Sequence, residues 1–165
     1  PSTKPVGNIR RFLIWNRIET EHPQDYYQDI EKRYQNDPND PDILYGLALV
    51  SGKIGRAKES LDFFQKCLSI NPDDNDALRD MGISLFRQGK YAQAKKHLEH
   101  TTEINHEDFL AFHYLGRTLK AINQIDKAID SLSRSKDLQP DFPENYYFLG
   151  LLCKQKGQIL FFICR

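Results

Sequence analysis

The stretch NDALRDMGISLFRQGKYAQAKKHLEHTTEINHED, residues 75–108, decides the fold because its spacing recurs on both sides of it. A shift of 34 residues aligns small residues in one column and turn-forming residues in another. The first column holds Ala48, Gly82, Gly116 and Gly150, and the second holds Gly55, Gly89, Asn123 and Gly157. A fixed period of this length is typical of an array of helix pairs.

Each period contains two amphipathic segments separated by a turn and followed by a polar, proline-containing breaker such as Asn71 to Asp74. The period predicts a loose lead-in over residues 1–7 and a degenerate capping hairpin over residues 8–40. Three full repeats are predicted over residues 41–74, 75–108 and 109–142. A truncated fourth repeat with an apolar tail occupies residues 143–165. A capping unit departs from the repeat pattern because it must cover an exposed apolar face.

From Pro41 onward the pattern resembles the tetratricopeptide repeat. The resemblance rests on Leu or Met before the small column, on Ala94 and Ala128 in the second helices, and on Pro72 and Pro140 after them. It implies an all-α fold, a right-handed superhelical solenoid of antiparallel helix pairs. His106 stands where the family has proline and Asn123 where it has glycine, but Asn tolerates the left-handed backbone of such a turn.

The composition of the chain argues against several classes of function. The 23 basic side chains equal the 23 acidic ones, so the chain lacks the basic excess that drives sequence-independent nucleic-acid binding. No apolar run approaches the roughly 20 residues that cross a bilayer, and we expect no membrane insertion. Three cysteines at unrelated spacings favour a reducing compartment such as the cytoplasm over a disulfide framework. Because Met81 is the single methionine, we expect an excised domain or a processed chain.

The first helices carry the candidate binding surface. In an array that resembles tetratricopeptide repeats, one face of these helices lines the concave side, where cations alternate with aromatic rings. Guanidinium groups and aromatic rings suit a peptide with acidic residues or a free carboxylate. The predicted peptide-binding residues are Tyr45, Lys53, Arg79, Phe86, Arg87, His113, Arg117, Lys120, Tyr147 and Lys154.

Motifs for catalysis are missing from the sequence, which contains no nucleophile elbow, phosphate-binding glycine loop or His-Glu-x-x-His helix. His97 and His100 lie three apart, but no third ligand accompanies them. We therefore expect no enzymatic activity, no metal site and no cofactor.

The sequence thus predicts a protein–protein interaction module that binds a peptide segment in its groove. Three alternatives stay open. The chain could be a structural spacer, or an accessory repeat region of a larger enzyme such as a membrane-associated peptidase or a transferase. It could also be a self-assembly module, because an exposed apolar segment favours association. The segment for homo-oligomerisation would be Ile159, Leu160, Phe161 and Phe162.

Overall fold

A computed structural model describes residues 9–20 and 22–157, with side chains from residue 11 onward. Within these residues the chain forms α-helices joined by short turns and contains no strand. The helices are α1 (Ile9–Thr20), α2 (Pro23–Asn36), α3 (Pro41–Lys53), α4 (Ala57–Ile70), α5 (Asn75–Arg87), α6 (Tyr91–Ile104), α7 (Phe109–Ala121), α8 (Ile125–Leu138) and α9 (Pro143–Gln155). The predicted all-α class is confirmed.

The 34-residue period of the sequence recurs in the helix boundaries. Helices α3, α5, α7 and α9 begin at residues 41, 75, 109 and 143, and α4, α6 and α8 begin at 57, 91 and 125. The turns that follow α3, α5, α7 and α9 contain Gly55, Gly89, Asn123 and Gly157, with φ of 84°, 73°, 61° and 68°. A left-handed backbone favours Gly and tolerates Asn, which explains this column of the sequence.

Aspartates in the breakers start several of the first helices. The Asp40 carboxylate accepts hydrogen bonds from the amides of Asp42 and Ile43. Asp74 accepts one from Ala77, and Asp108 accepts one from Ala111. Each carboxylate satisfies amides that have no partner inside the helix. The breakers therefore end one helix pair and begin the next.

The chain divides into two compact units, residues 1–77 and 78–165. In the first unit, α1 and α2 pack on α3 around a core of Ile18, Tyr26, Tyr27, Ile30, Leu47 and Val50. Gly46 lies in this contact, since a Cβ there would come within 2.3 Å of the Ile30 side chain. The small residue lets the first hairpin approach α3 closely.

A buried arginine joins α1 to the rest of the first unit. The Arg11 side chain is 7% exposed, and its guanidinium forms ion pairs with Asp74, Asp42 and Asp76. It also lies 4.4 Å from the centre of the Tyr45 ring. Burial alone would raise the pKa of Asp74, but the hydrogen bonds from Arg11 and the Ala77 amide, together with the Arg11 charge, hold that pKa below its usual range. The arginine is therefore a structural residue of this unit.

In the second unit, glycines allow the paired helices to touch. A Cβ at Gly82 would lie 2.7 Å from Leu98 Cγ, and a Cβ at Gly116 would lie 2.6 Å from Leu132 Cγ. Leu98 and Leu132 are fully buried. At Gly82 and Gly116 the small column of the sequence thus marks close helix contacts, as ridges-into-grooves packing requires.

None of the helices in residues 9–20 and 22–157 is both long and apolar enough to cross a membrane.

Candidate functional site

The second unit holds a half-buried arginine among aromatic rings. Arg117 lies on α7, and its guanidinium carbon is 4.8 Å from the centre of the Phe86 ring, 5.2 Å from Tyr114 and 4.7 Å from Phe148. These rings come from α5, α7 and α9 in turn. The electron-rich faces of such rings attract a cation. We call Phe86, Tyr114, Arg117 and Phe148 the arginine–aromatic cluster.

The rings of the cluster hold one another in place. Phe86 meets Tyr114 edge to face at 5.6 Å between ring centres. Phe86 also lies 5.6 Å from Tyr91, and Phe148 lies 5.2 Å from Tyr147. Aromatic rings have few rotatable bonds, so contacts of this kind fix the position of the guanidinium at a small entropic cost.

The Arg117 guanidinium makes no hydrogen bond or ion pair within residues 11–20 and 22–157, whose side chains the structure describes. Lys120, one turn further along α7, has its ammonium 5.7 Å from the Phe148 ring and likewise lacks an acidic partner in that part of the chain. A guanidinium carries five N–H donors in a planar fork that matches a carboxylate. The cluster can therefore donate to an external anion without first breaking an internal ion pair.

Arg79 differs from Arg117 because its donors are already engaged. Its side chain is 12% exposed, and it forms ion pairs of 3.0 Å with Asp80 and 3.1 Å with Asp108. Asp108 also caps α7. An external acid would have to displace both carboxylates, so Arg79 acts as a structural link between helix ends.

Two of the predicted binding residues are buried, which corrects the expectation that they face a ligand. Tyr45 is 3% exposed and packs against Phe64 and the Arg11 guanidinium. His113 is 2% exposed among the rings of Tyr114, Phe142 and Phe148. Helical spacing placed these residues on the first helices correctly, but neighbouring helices cover them.

A hydrogen-bonded chain satisfies the buried His113. Its Nδ1 lies 2.7 Å from Asn145 Oδ1, the Asn145 amide donates to Ser135, and Ser135 donates to the Phe109 carbonyl. Burial lowers the pKa of His113, and the nearby Arg117 charge adds to this, while the bond to Asn145 opposes it. The neutral imidazole thus serves the core.

The other predicted residues separate into two groups. Lys53 donates to the Ile18 carbonyl and to Glu19, both at 2.9 Å, and so ties α3 to α1 in the first unit. In the second unit, Arg87 and Lys154 are exposed, and Tyr147 is 63% exposed. The structure brings Phe86, Arg117 and Lys120 together through Phe148, and their binding role stays a prediction.

Sequence reasoning missed Tyr114 and Phe148. Both occupy the same register position, since 114 and 148 differ by one period of 34 residues. Tyr114 also lies three residues before Arg117, a spacing that brings two side chains together on a helix. That i, i+3 pair was a signal in the sequence, whereas the approach of Phe148 depends on packing between helices.

The described part of the chain contains no candidate site for cysteine chemistry or for metal binding. Cys67 is buried beside Asp74, and burial together with that negative charge raises the pKa of its thiol to about 12. Among residues 9–20 and 22–157, no group of three or more His, Cys, Asp or Glu side chains is arranged to hold a metal ion. The predicted oligomerisation segment from Ile159 to Phe162 lies outside the described residues.

Residues 53–115 match the sequence profile of the tetratricopeptide repeat. The chain is 31% identical over 116 residues to the BBSome complex member BBS4 of Bos taurus, a match that covers 70% of this chain and 22% of that protein. It is 27% identical over 111 residues to anaphase-promoting complex subunit 3 of Schizosaccharomyces pombe, covering 67% of this chain and 17% of the relative. The chain thus spans about a fifth of the length of these relatives.

A solved structure shares the fold. MamA from Desulfovibrio magneticus RS-1, residues 41 to the end, superposes with a TM-score of 0.80 over 92% of this chain and 88% of that one, at 21% sequence identity. Likeness at this level of identity concerns the arrangement of helices and leaves the binding residues to be argued from this chain itself.

Proposed function

Because the chain is a tetratricopeptide repeat protein, we propose that it is a protein–protein interaction scaffold whose second unit binds an acidic or carboxylate-bearing peptide segment. The arginine–aromatic cluster is the centre of the proposed site. The relatives named as members or subunits of the BBSome and the anaphase-promoting complex support a role in assembling proteins.

One observation carries the choice of an acidic ligand. Arg117 is fixed by three rings and has no acidic partner in the described part of the chain, whereas Arg11 and Arg79 are both paired with aspartates. A partly desolvated guanidinium binds a carboxylate more strongly than an exposed one, because water competes less for its donors. Arg117 is therefore the residue to which we assign the ligand carboxylate.

The surroundings of Arg117 extend the proposed site. Lys120 lies on the same helix and shares the Phe148 ring, and the exposed Arg87 ends α5. Cations in the last turn also interact favourably with the helix dipole, so Arg87 and Lys120 have a structural reason to be there. Arg117 lies before the last turn, so the helix dipole does not explain its position. It is therefore the better indicator of a binding role.

Aromatic surface supplies the second part of recognition. Tyr147 is 63% exposed and touches Phe148, so an apolar side chain of the ligand would find a ring beside the cation. Interfaces draw much of their binding energy from aromatic residues and arginine. We expect peptides in which an acid is flanked by a Leu, Phe or similar side chain.

Selection of peptides from a random decapeptide phage library tests this function. The wild-type chain should enrich peptides with Asp or Glu, and a synthetic copy of the enriched peptide should bind with an affinity that falls as salt is raised. The Arg117→Met variant keeps an apolar stem against the rings but loses the charge, and its affinity should drop by about tenfold or more.

A matched control is Lys127→Met on α8, which removes an exposed cation away from the cluster and should leave binding unchanged. Enrichment of peptides without acids, or equal affinity for the wild type and Arg117→Met, would remove the proposed role of the cluster.

A further inference from the structure

Helix α9 carries an exposed row of four residues whose spacing along the helix is the same in both directions. Glu144, Tyr147, Leu151 and Lys154 are spaced by three, four and three residues, so they lie along one side of the helix. Tyr147 is 63% exposed and Leu151 is 37% exposed, while Glu144 and Lys154 are also exposed. We call these four residues the α9 stripe.

The preceding repeat shows which element covers the equivalent face of a first helix. His113 stands one 34-residue period before Tyr147, and it is 2% exposed because Phe142, Asn145 and Phe148 of the following helix region cover it. No element within residues 22–157 covers Tyr147 in this way. The α9 stripe is therefore a surface of the shape that packs against another helix.

The charged residues of the stripe indicate which kind of partner would pack on it. Neither Glu144 nor Lys154 forms an ion pair in the part of the chain that the structure describes. If two copies of α9 pair antiparallel about residue 149, Glu144 faces Lys154 of the second copy, and Tyr147 faces its Leu151. Both opposite pairs have residue numbers that are symmetric about 149. One two-fold axis thus satisfies both charges and both apolar residues at once.

We propose that the α9 stripe is the self-association surface of this chain, and that two copies pair through antiparallel α9 helices. The stripe extends over eleven residues, and its two ends lie about 15 Å apart along the helix. A contact of this length is smaller than the interface of a permanent dimer, so the association is weak and depends on concentration. It goes beyond peptide binding, and although the two surfaces share Tyr147, the dimer contact does not use the Arg117 guanidinium.

Charge exchange provides the test. Sedimentation equilibrium of the full 165-residue chain between about 1 µM and 1 mM should show a monomer–dimer equilibrium. Glu144→Lys or Lys154→Glu turns two attractive pairs of the dimer into two repulsive ones, so each should raise the dissociation constant by about tenfold or more. The double variant Glu144→Lys, Lys154→Glu restores opposite charges and should return to within about threefold of the wild type.

The three charge variants change exposed residues, and circular dichroism should give the same helix content for all of them. Arg117→Met should dimerise like the wild type, which separates this inference from the peptide site. A chain that stays monomeric up to 1 mM would overturn the proposal. The proposal would also be overturned if the charge reversals left the dissociation constant unchanged while Phe161→Ser and Phe162→Ser abolished association. That result would assign the contact to the apolar tail.

Discussion

His113 Nδ1 on α7 lies 2.7 Å from Asn145 Oδ1 on α9, and both side chains are almost fully buried. With Oδ1 as acceptor, the imidazole carries its proton on Nδ1, and the Asn145 amide is left to donate to Ser135. The pair connects two neighbouring first helices through a core that is otherwise aromatic. It gives this unit a titratable group whose neutral form is needed for packing.

The stability of the protein should therefore fall in mild acid. The folded pKa of His113 lies below the ordinary value of 6.5, so the unfolded chain takes up a proton first as pH drops. The free energy of unfolding should be level above about pH 7 and decrease below about 6.5, by up to about 1.4 kcal/mol per pH unit for one histidine. Urea denaturation at pH 8, 7, 6 and 5 measures this dependence.

Two variants separate the contributing histidines. Burial and the nearby Lys96 charge also lower the pKa of His97, so both residues destabilise the fold in the same direction as pH falls. His113→Gln and His97→Gln should each reduce the slope. The carboxyl of Asp74 titrates well below this window, because its pKa is held low. A slope that His113→Gln leaves unchanged would contradict the assignment.

Gly116 should not accept even a methyl group. The added Cβ would lie 2.6 Å from Leu132 Cγ and 3.1 Å from the Ala128 carbonyl oxygen, and a backbone atom cannot move aside cheaply. Gly116→Ala should lower the free energy of unfolding by about 1 to 3 kcal/mol. Thermal and urea unfolding report this value.

Gly52→Ala is the matched control for that substitution. Its Cβ would meet a side-chain oxygen, Ser60 Oγ, at 3.2 Å, and the change gains up to about 1 kcal/mol of helix propensity. Gly52→Ala should therefore be close to neutral. Equal destabilisation by both substitutions would mean that close packing at Gly116 is not the cause.

Replacing Arg11 should destabilise the first unit strongly. Arg11→Met would leave Asp74, whose side chain is 7% exposed, without its main cation, at a cost of about 3 to 5 kcal/mol. Adding Asp74→Asn should recover part of the loss, since it removes the buried charge but keeps an oxygen that caps α5.

Arg17→Met on the same helix serves as the comparison. Its ion pair with Asp29 joins side chains that are 34% and 43% exposed, so water already screens the charges. Its loss should cost at most about 1 kcal/mol. The ratio of the two effects, measured by chemical denaturation, distinguishes a buried cation from a surface one.

Asn123 should behave as a glycine equivalent. Its φ of 61° matches the three glycines that occupy the corresponding turns. Asn123→Gly should be nearly neutral in unfolding experiments, whereas Asn123→Ala should cost about 1 to 2 kcal/mol, because a Cβ strains a left-handed backbone. An alanine variant as stable as the wild type would show that this turn can change its conformation freely.

Much of the fold could be predicted because it depends on local chemistry repeated at a fixed interval. Pro41 and Pro143 start helices, breaker aspartates cap α3, α5 and α7, and Gly or Asn takes the left-handed turns. Gly82 and Gly116 mark close helix contacts. Each of these features needs only a few neighbouring residues, so spacing alone reveals them.

The candidate site was less accessible to such reasoning. The residues Tyr45, Arg79 and His113 occupy one register position, yet two are buried in cores and the third is held between aspartates. Arg117, four residues after His113, stands among rings and keeps its donors available. A periodic pattern assigns residues to a helix face but does not say how far a neighbouring helix covers that face.

The sequence by itself determined the repeating helix pairs, their turns and their small-residue contacts, because those depend on backbone conformation and side-chain volume within one period. Only the tertiary structure decided which cations are already paired. Arg11 and Arg117 both lie near aromatic rings, but Arg11 meets three aspartates brought from α3 and the start of α5, while Arg117 meets Phe86 and Phe148. Helix packing determines which residues distant in the chain come next to each arginine. These neighbours distinguish a structural arginine from a candidate ligand-binding one.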